Sequence, residues 1–332
     1  MTSHPSPATE IDHAFFEREV ESFLPDKVFD AHAHLMKEGS HRFAIRGIPA
    51  TFGYQEVKHF SEDLHSQRRY AGLFLPGFDA SLKQKIPEAN NWVSEQLAFA
   101  PDCVGAFFVT PEDDPEWVQQ EVRRLGLHGL KCYHTMAPNQ PTFEAEIPDY
   151  LPEPLVAVAN QEGWFITLHI VKKHAVADPG NLYWIRRYCE RYPHIKLILA
   201  HSARGFQPAH NLAGLESLRD LNNLYFDSSA NCEPIAHQAI VRLFGHKKLI
   251  YGTDFPISHI KGRCVAIGDT FLWLTENSPI WNEKHSAIEP VLVGLEHIRS
   301  LKWACWSEKL VDSQIEDIFW NNATQLFGIQ KS

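Results

Sequence analysis

The sequence predicts an α/β fold, a (β/α)8 TIM barrel with extra helices at both termini. Eight short apolar, β-branched or aromatic runs recur along the chain, and most are followed by a turn signal and a helical pattern. Strands alternating with helices over roughly 250 residues have the length of such a barrel. A doubly wound open sheet, the competing architecture, usually has a Gly-rich phosphate turn after its first strand, and AHAHLMKEGS stands there instead.

Residues 11–24 carry an amphipathic pattern that precedes the first run, so a helix is expected outside the barrel. The runs cover 28–34, 70–78, 104–111, 129–134, 164–170, 195–201, 224–229 and 249–254. Helical patterns follow at 116–125, 154–162, 182–191, 212–221 and 234–244, with Gly126, Gly163 and Gly245 where C-terminal caps belong. Two connections, 36–69 and 134–152, are too long for plain turns and are expected to carry lid or pocket residues. Beyond the barrel a helix is expected over 290–309. A last one should open on a Ser313-x-x-Glu316 capping box and close at Gly328. The expected organisation is one domain, 1–332, with a barrel core over about 27–256 and a helical segment over 257–330.

Composition excludes several classes of function. The net charge of −10 argues against nucleic acid or an acidic membrane surface, since both need a basic face. No apolar run approaches a membrane span, and the first residues lack a signal-peptide pattern, so a cytoplasmic protein is expected. The six cysteines never form C-x-x-C, which argues against a thiolate zinc site and a disulfide framework alike. There is no G-x-S-x-G elbow for a serine nucleophile. Trp303, Trp306 and Trp320 have near-helical spacing and read as core or subunit contact. Apolar stretches such as PVLVGLEHIRSLKWACW leave room for a homodimer.

Function in a barrel of this kind collects at the C-terminal strand ends. In KVFDAHAHL, Asp30, His32 and His34 share one face of the first strand, a costly burial unless something satisfies them. The fourth run carries Lys131, the fifth ends in His169, the sixth in His201 and the eighth in Asp254. Each alone has a plain structural reading, as a core histidine or a turn aspartate. Their arrival at one rim in barrel order points to a metal centre. Imidazole and carboxylate without thiolate suit Zn²⁺ first, with Mn²⁺ or Fe²⁺ next. Such an ion lowers the pKa of bound water to about 7, and a neighbouring carboxylate can then take the proton. Arg204 and His134, on the loops after the sixth and fourth strands, and Lys131 are candidates for binding a substrate carboxylate. Asp30, one pleat deeper, reads as a partner that orients a ligand.

D-x-H-x-H on the first strand, histidines on the fifth and sixth, and GTD-F-P on the eighth resemble the amidohydrolase superfamily. The closing NNATQLFGI is similar to its branch of aminocarboxymuconate-semialdehyde decarboxylase-like proteins. The resemblance implies His32, His34 and His169 as ligands, and Asp254 as ligand or water-activating base. It implies His201 as ligand of a second ion or as hydrogen-bond donor to the attacked group. Three readings of Lys131 stay open: a carboxylated bridge between two ions, a cation for substrate, or a barrel lysine without catalytic part. One ion per chain, with Lys131 on substrate, is the preferred expectation. The expected activity is metal-dependent hydrolysis of an amide, lactone or other ester-like bond in a small, carboxylate-bearing molecule. Non-oxidative decarboxylation is the alternative, and an inactive barrel serving as a binding protein is the third.

Overall fold

The computed structural model describes residues 6–42, 44–77, 79–278 and 289–329. Eight parallel strands pair in sequence order: β1 (Lys27–Leu35), β2 (Arg69–Pro76), β3 (Val104–Phe108), β4 (Gly129–Cys132), β5 (Phe165–Leu168), β6 (Lys196–Leu199), β7 (Leu224–Asp227) and β8 (Leu249–Ile250). Their residues are buried almost throughout, because helices cover the outer face and side chains fill the inner one. The expected barrel is present. Among the described residues no helix is long and apolar enough to cross a membrane.

Closure between β8 and β1 runs through the polar stretch of KVFDAHAHL. Ala31 N–H donates to Tyr251 O at 2.8 Å, Asp254 N–H to His32 O at 2.6 Å, and His34 N–H to Phe255 O at 2.8 Å. Gly252 permits this approach, since a Cβ there would lie 2.9 Å from the His32 Cβ. Three of the expected site residues therefore meet at the seam because the seam is what closes the barrel.

Several strands stop earlier than their apolar runs do. β8 ends at Ile250, so Asp254 sits on a loop with φ +60°, and β6 ends at Leu199, before His201. The last expected residue of the second run, Phe78, lies outside the described residues. Helices occupy Pro115–Arg124, Glu153–Glu162, Pro179–Arg191 and Pro234–Phe244, close to the expected patterns. Asp114 caps the first through Trp117 N–H, and Gly163 ends the second with φ +67°. The helix expected at 212–221 begins earlier, at Pro208, because Gln207 accepts from Ala209 N–H and proline suits the first turn.

The termini pack outside the barrel as helices, Glu10–Phe15 running on to Phe23 and Val293–Ser307. The last helical segment starts at Asp312, where Gln314 Oε1 caps the Val311 N–H; Ser313 and Glu316 are not the capping pair. It closes at Gly328, φ +70°, as expected. Trp320 and Phe327 from this segment close the floor of the barrel against Phe29, at ring separations of 6.2 and 5.6 Å. Trp303 and Trp306 stay exposed. The segment after the barrel is not wholly helical. β9 (Gly262–Ile267) and β10 (Thr270–Thr275) form an antiparallel hairpin at the opposite, upper end.

Candidate active site

The strand ends and the hairpin enclose a cavity of about 820 Å³. His32, His34, Lys131, His169, His201, Arg204 and Asp254 all line it, while His134 does not. One carboxylate oxygen organises the centre. Asp254 Oδ1 lies 3.5 Å from His32 Nε2 and 3.4 Å from His34 Nε2. These separations are long for hydrogen bonds, and they match the edge, about 3.3 Å, of a tetrahedron whose ligands stand 2.0–2.1 Å from an ion.

The protonation states suit that arrangement. Burial, reinforced by Lys131, pushes His32 down to about 4 against the pull of Asp227 and Asp254, so its ring is neutral. Burial would raise the Asp254 carboxyl, but the surrounding imidazoles of His34, His201 and His32 hold it at about 2, hence ionised. Burial lowers Lys131, with Asp254 and Asp227 resisting, and its Nζ lies 3.5 Å from His32 Nε2.

Asp227, at the end of β7, is the residue that sequence reasoning missed. Its Oδ2 lies 3.0 Å from His32 Nδ1 and its Oδ1 accepts from His201 N–H at 3.0 Å and Ser229 N–H at 3.1 Å. Burial acts to raise its carboxyl, yet His32 and His201 hold it below the usual range. An ionised acceptor fixes the proton on His32 Nδ1 and turns the Nε2 lone pair toward the cavity. His32, His201 and Asp227 also cluster tightly enough for an ion. There, however, both Asp227 oxygens are already engaged in hydrogen bonds, so that cluster is a brace.

Asp30 reaches a proposed ligand residue only through that residue's backbone. It accepts from Thr253 N–H at 2.8 Å, Thr253 Oγ–H at 2.5 Å and His32 N–H at 3.1 Å, and among the described residues it makes no hydrogen bond to an imidazole ring. Burial raises its carboxyl to about 7 against these bonds. Asp30 ties the β1–β8 seam together, and Asp227 does the orienting.

His201 enters the site from an unusual backbone. His201, Ser202, Ala203 and Arg204 all adopt left-handed φ values between +52° and +57°. Each such residue costs about 1–2 kcal/mol, so the turn needs bracing. Buried side chains supply it. Asn231 Nδ2 donates to His201 O at 3.1 Å, Asn211 Nδ2 to Ser202 O at 2.7 Å, and the Ser202 hydroxyl meets His237 Nδ1 at 2.8 Å. His201 Nδ1 is held 3.0 Å from both Ser229 O and Ser229 Oγ, and its ring stacks on Phe206.

His169 stands apart from the His32–His34–Asp254 group, with its ring 5.1 Å from His201 and 4.7 Å from Tyr133. Its Nδ1 is buried without a hydrogen-bond partner, as is that of His34. The orphaned His169 nitrogen at this rim, the neutral His32 ring and the ionised Asp254 carboxylate together fit a divalent cation. Arg204, buried, lies over the rings of Phe143 at 4.8 Å and Phe271 at 5.4 Å, and among the described residues it has no carboxylate partner. His134 lies behind the wall residues Tyr133 and His169, with its ring 4.7 and 5.9 Å from theirs and its Nδ1 3.1 Å from Thr142 Oγ. The long connection after β1 contributes Met36, His41 and Arg42 to the wall, as a pocket loop should.

Comparison with known proteins agrees with this geometry. A family model described as Amidohydrolase matches residues 29–329. Among solved structures, an amidohydrolase from Burkholderia multivorans is 12% identical. It covers 92% of this chain and 100% of its own, with a TM-score of 0.62 with bound Hepes and 0.56 with bound zinc. The probable 2-pyrone-4,6-dicarboxylic acid hydrolase of Acinetobacter baumannii, with citric acid bound, is 18% identical over 91% of this chain and 99% of its own, TM-score 0.55. The dihydroxybenzoic acid decarboxylase of Polaromonas sp. JS666, with manganese and 2-nitroresorcinol, is 16% identical over 92% of this chain and 98% of its own, TM-score 0.54. No curated protein matches the chain in sequence.

Proposed function

The chain belongs to the amidohydrolase family, and from that premise we propose that it hydrolyses an amide, lactone or other ester-like bond in a small, carboxylate-bearing molecule. The observation that carries this reading is the single Asp254 oxygen facing the Nε2 atoms of His32 and His34, in a cavity where, among the described residues, Arg204 lacks an anionic partner. Zn²⁺ is the proposed cofactor, held by His32, His34 and Asp254 with His169 alongside. When bound it supplies Lewis acidity for a scissile carbonyl and a water acidified to about pKa 7.

The chain's own residues do the rest. Asp254, ionised, takes a proton from water and returns it to the leaving group. His201, with Nδ1 tied to Ser229, presents Nε2 to the attacked group. Arg204 and Lys131 bind the substrate carboxylate, the guanidinium bidentately. The aromatic walls limit the water that reaches the reacting bond.

Asp254→Asn tests the assignment. Screening lactones, amides and aromatic carboxylic acids, with CO₂ release assayed in parallel, should show hydrolysis that this variant loses while its circular dichroism is unchanged. CO₂ release from an aromatic acid, without hydrolysis, would replace the reading with decarboxylation.

A further inference from the structure

A second cluster of metal-ligating side chains lies outside the cavity. His174 follows β5, His210 lies on the short helix Pro208–Gly214 after β6, and Asp269 is at the tip of the β9–β10 hairpin. His174 Nε2 is 3.2 Å from Asp269 Oδ2, and His210 Nε2 is 3.3 Å from Asp269 Oδ1. The three ligand atoms all fall within 4.8 Å of one another. None of the three residues lines the cavity.

Two features distinguish this group from a chance surface contact. First, the carboxylate is positioned in advance. Gln207 Nε2 donates to Gly268 O at 2.8 Å and to Thr270 O at 3.0 Å, gripping the carbonyls on either side of Asp269. Second, His210 is buried, 6% exposed, and its Nε2 is directed at the carboxylate, while His174 closes from the solvent side with its ring 5.4 Å from that of His210. The two imidazoles meet different oxygens of the one carboxylate, so Asp269 spans the pair and can offer either oxygen to an ion held between them.

We propose that His174, His210 and Asp269 form a second Zn²⁺ site, separate from the cavity, that pins the β9–β10 hairpin to the barrel rim. Two imidazoles and one carboxylate with a fourth position open to water suit zinc. Lys173, whose Nζ lies 3.3 Å from Asp269 Oδ2, is well exposed and swings into solvent when the ion enters. The consequence reaches the cavity through the hairpin. Phe271 of β10 packs against Phe206 at 4.9 Å and beneath the Arg204 guanidinium. An ion at the tip would therefore hold one wall of the cavity in place.

The test uses the full chain and Zn²⁺ alone. Equilibrium dialysis followed by metal analysis compares wild type with H174A/D269N and with H34A. Both His174 and Asp269 are largely exposed, so the double variant keeps its fold, which circular dichroism checks. The double variant is expected to hold about one equivalent fewer per chain, and H34A to lose a different one. Added Zn²⁺ should slow backbone hydrogen exchange over 262–275 in wild type and leave the double variant unchanged. Equal zinc content in wild type and H174A/D269N, with hairpin exchange insensitive to Zn²⁺ in both, would overturn the proposal.

Discussion

The two ends of the barrel are built on opposite principles. At the floor, Phe29, Phe165, Trp320 and Phe327 close the barrel with aromatic contacts, including a Phe165–Phe327 pair at 5.0 Å, and the cations of Lys27 and Arg69 lie over the Trp320 ring at its edge. At the rim, the same strands end in buried histidines, carboxylates and a lysine, on backbone that includes four consecutive left-handed residues. The floor gains stability from burial, at about 25 cal/mol per Å² of apolar area removed from water. The rim holds polar groups and strain that the rest of the fold must offset. Stability and chemistry are thus segregated along the barrel axis, and mutations at the two ends should have separable effects.

The largest effect belongs to the rim. Asp254→Asn should lower turnover by about 10²–10⁴-fold, the range for a positioned acid–base group, with a melting temperature within a few degrees of wild type. A comparable loss of stability would show that the two ends are not separable. At the floor, Phe29→Ala should cost about 3–5 kcal/mol of stability in denaturant titration, yet leave Zn²⁺ affinity of the folded protein unchanged.

Acid should act through histidines buried in neutral form away from the ligand set. Burial, with His259 and Arg68 assisting, lowers His65 to about 3, and burial lowers His237 to about 4. The unfolded chain takes up these protons near pH 6.5 while the folded chain does not. Stability is therefore full above that pH and falls as pH drops from about 6.5 towards 4, by up to about 1.4 kcal/mol per unit for each histidine. Unfolding curves at pH 7, 6 and 5 check the sign, and His65→Gln should flatten the dependence.

Much of the fold was legible because each strand announced itself as an apolar run bounded by turn residues. Gly163 and Gly328 likewise mark real helix ends. His32, His34 and Asp254 were legible for the same reason: strand ends in a closed barrel converge whatever lies between them. Asp227 was not, since one aspartate in FDSS reads equally well as a turn residue, and only the closed barrel shows that it faces His32. The hairpin had a signal, Gly268-Asp269 between apolar stretches, that the expectation of a helical tail overrode. The left-handed turn at 201–204 had none, because HSAR contains no glycine and its bracing comes from distant side chains.

Smaller effects sharpen the contrast. Asp227→Asn should weaken Zn²⁺ binding by about 10–100-fold, as loss of an orienting partner does, measured by competition with a chelator. Ala203→Gly should be nearly neutral in stability, since relief of about 1 kcal/mol of left-handed strain opposes the lost burial of one methyl, about 0.8 kcal/mol. A clear destabilisation there would mean that the turn carries no strain.

The most direct test of a metal centre at the rim is anomalous diffraction from crystals of the protein grown with Zn²⁺. A peak bounded by His32 Nε2, His34 Nε2 and Asp254 Oδ1, with an unmodified Lys131 amine beside it, is expected. An empty cavity at full zinc occupancy elsewhere would contradict a metal centre there, and two cavity ions bridged by extra density on Lys131 would contradict the one-ion reading.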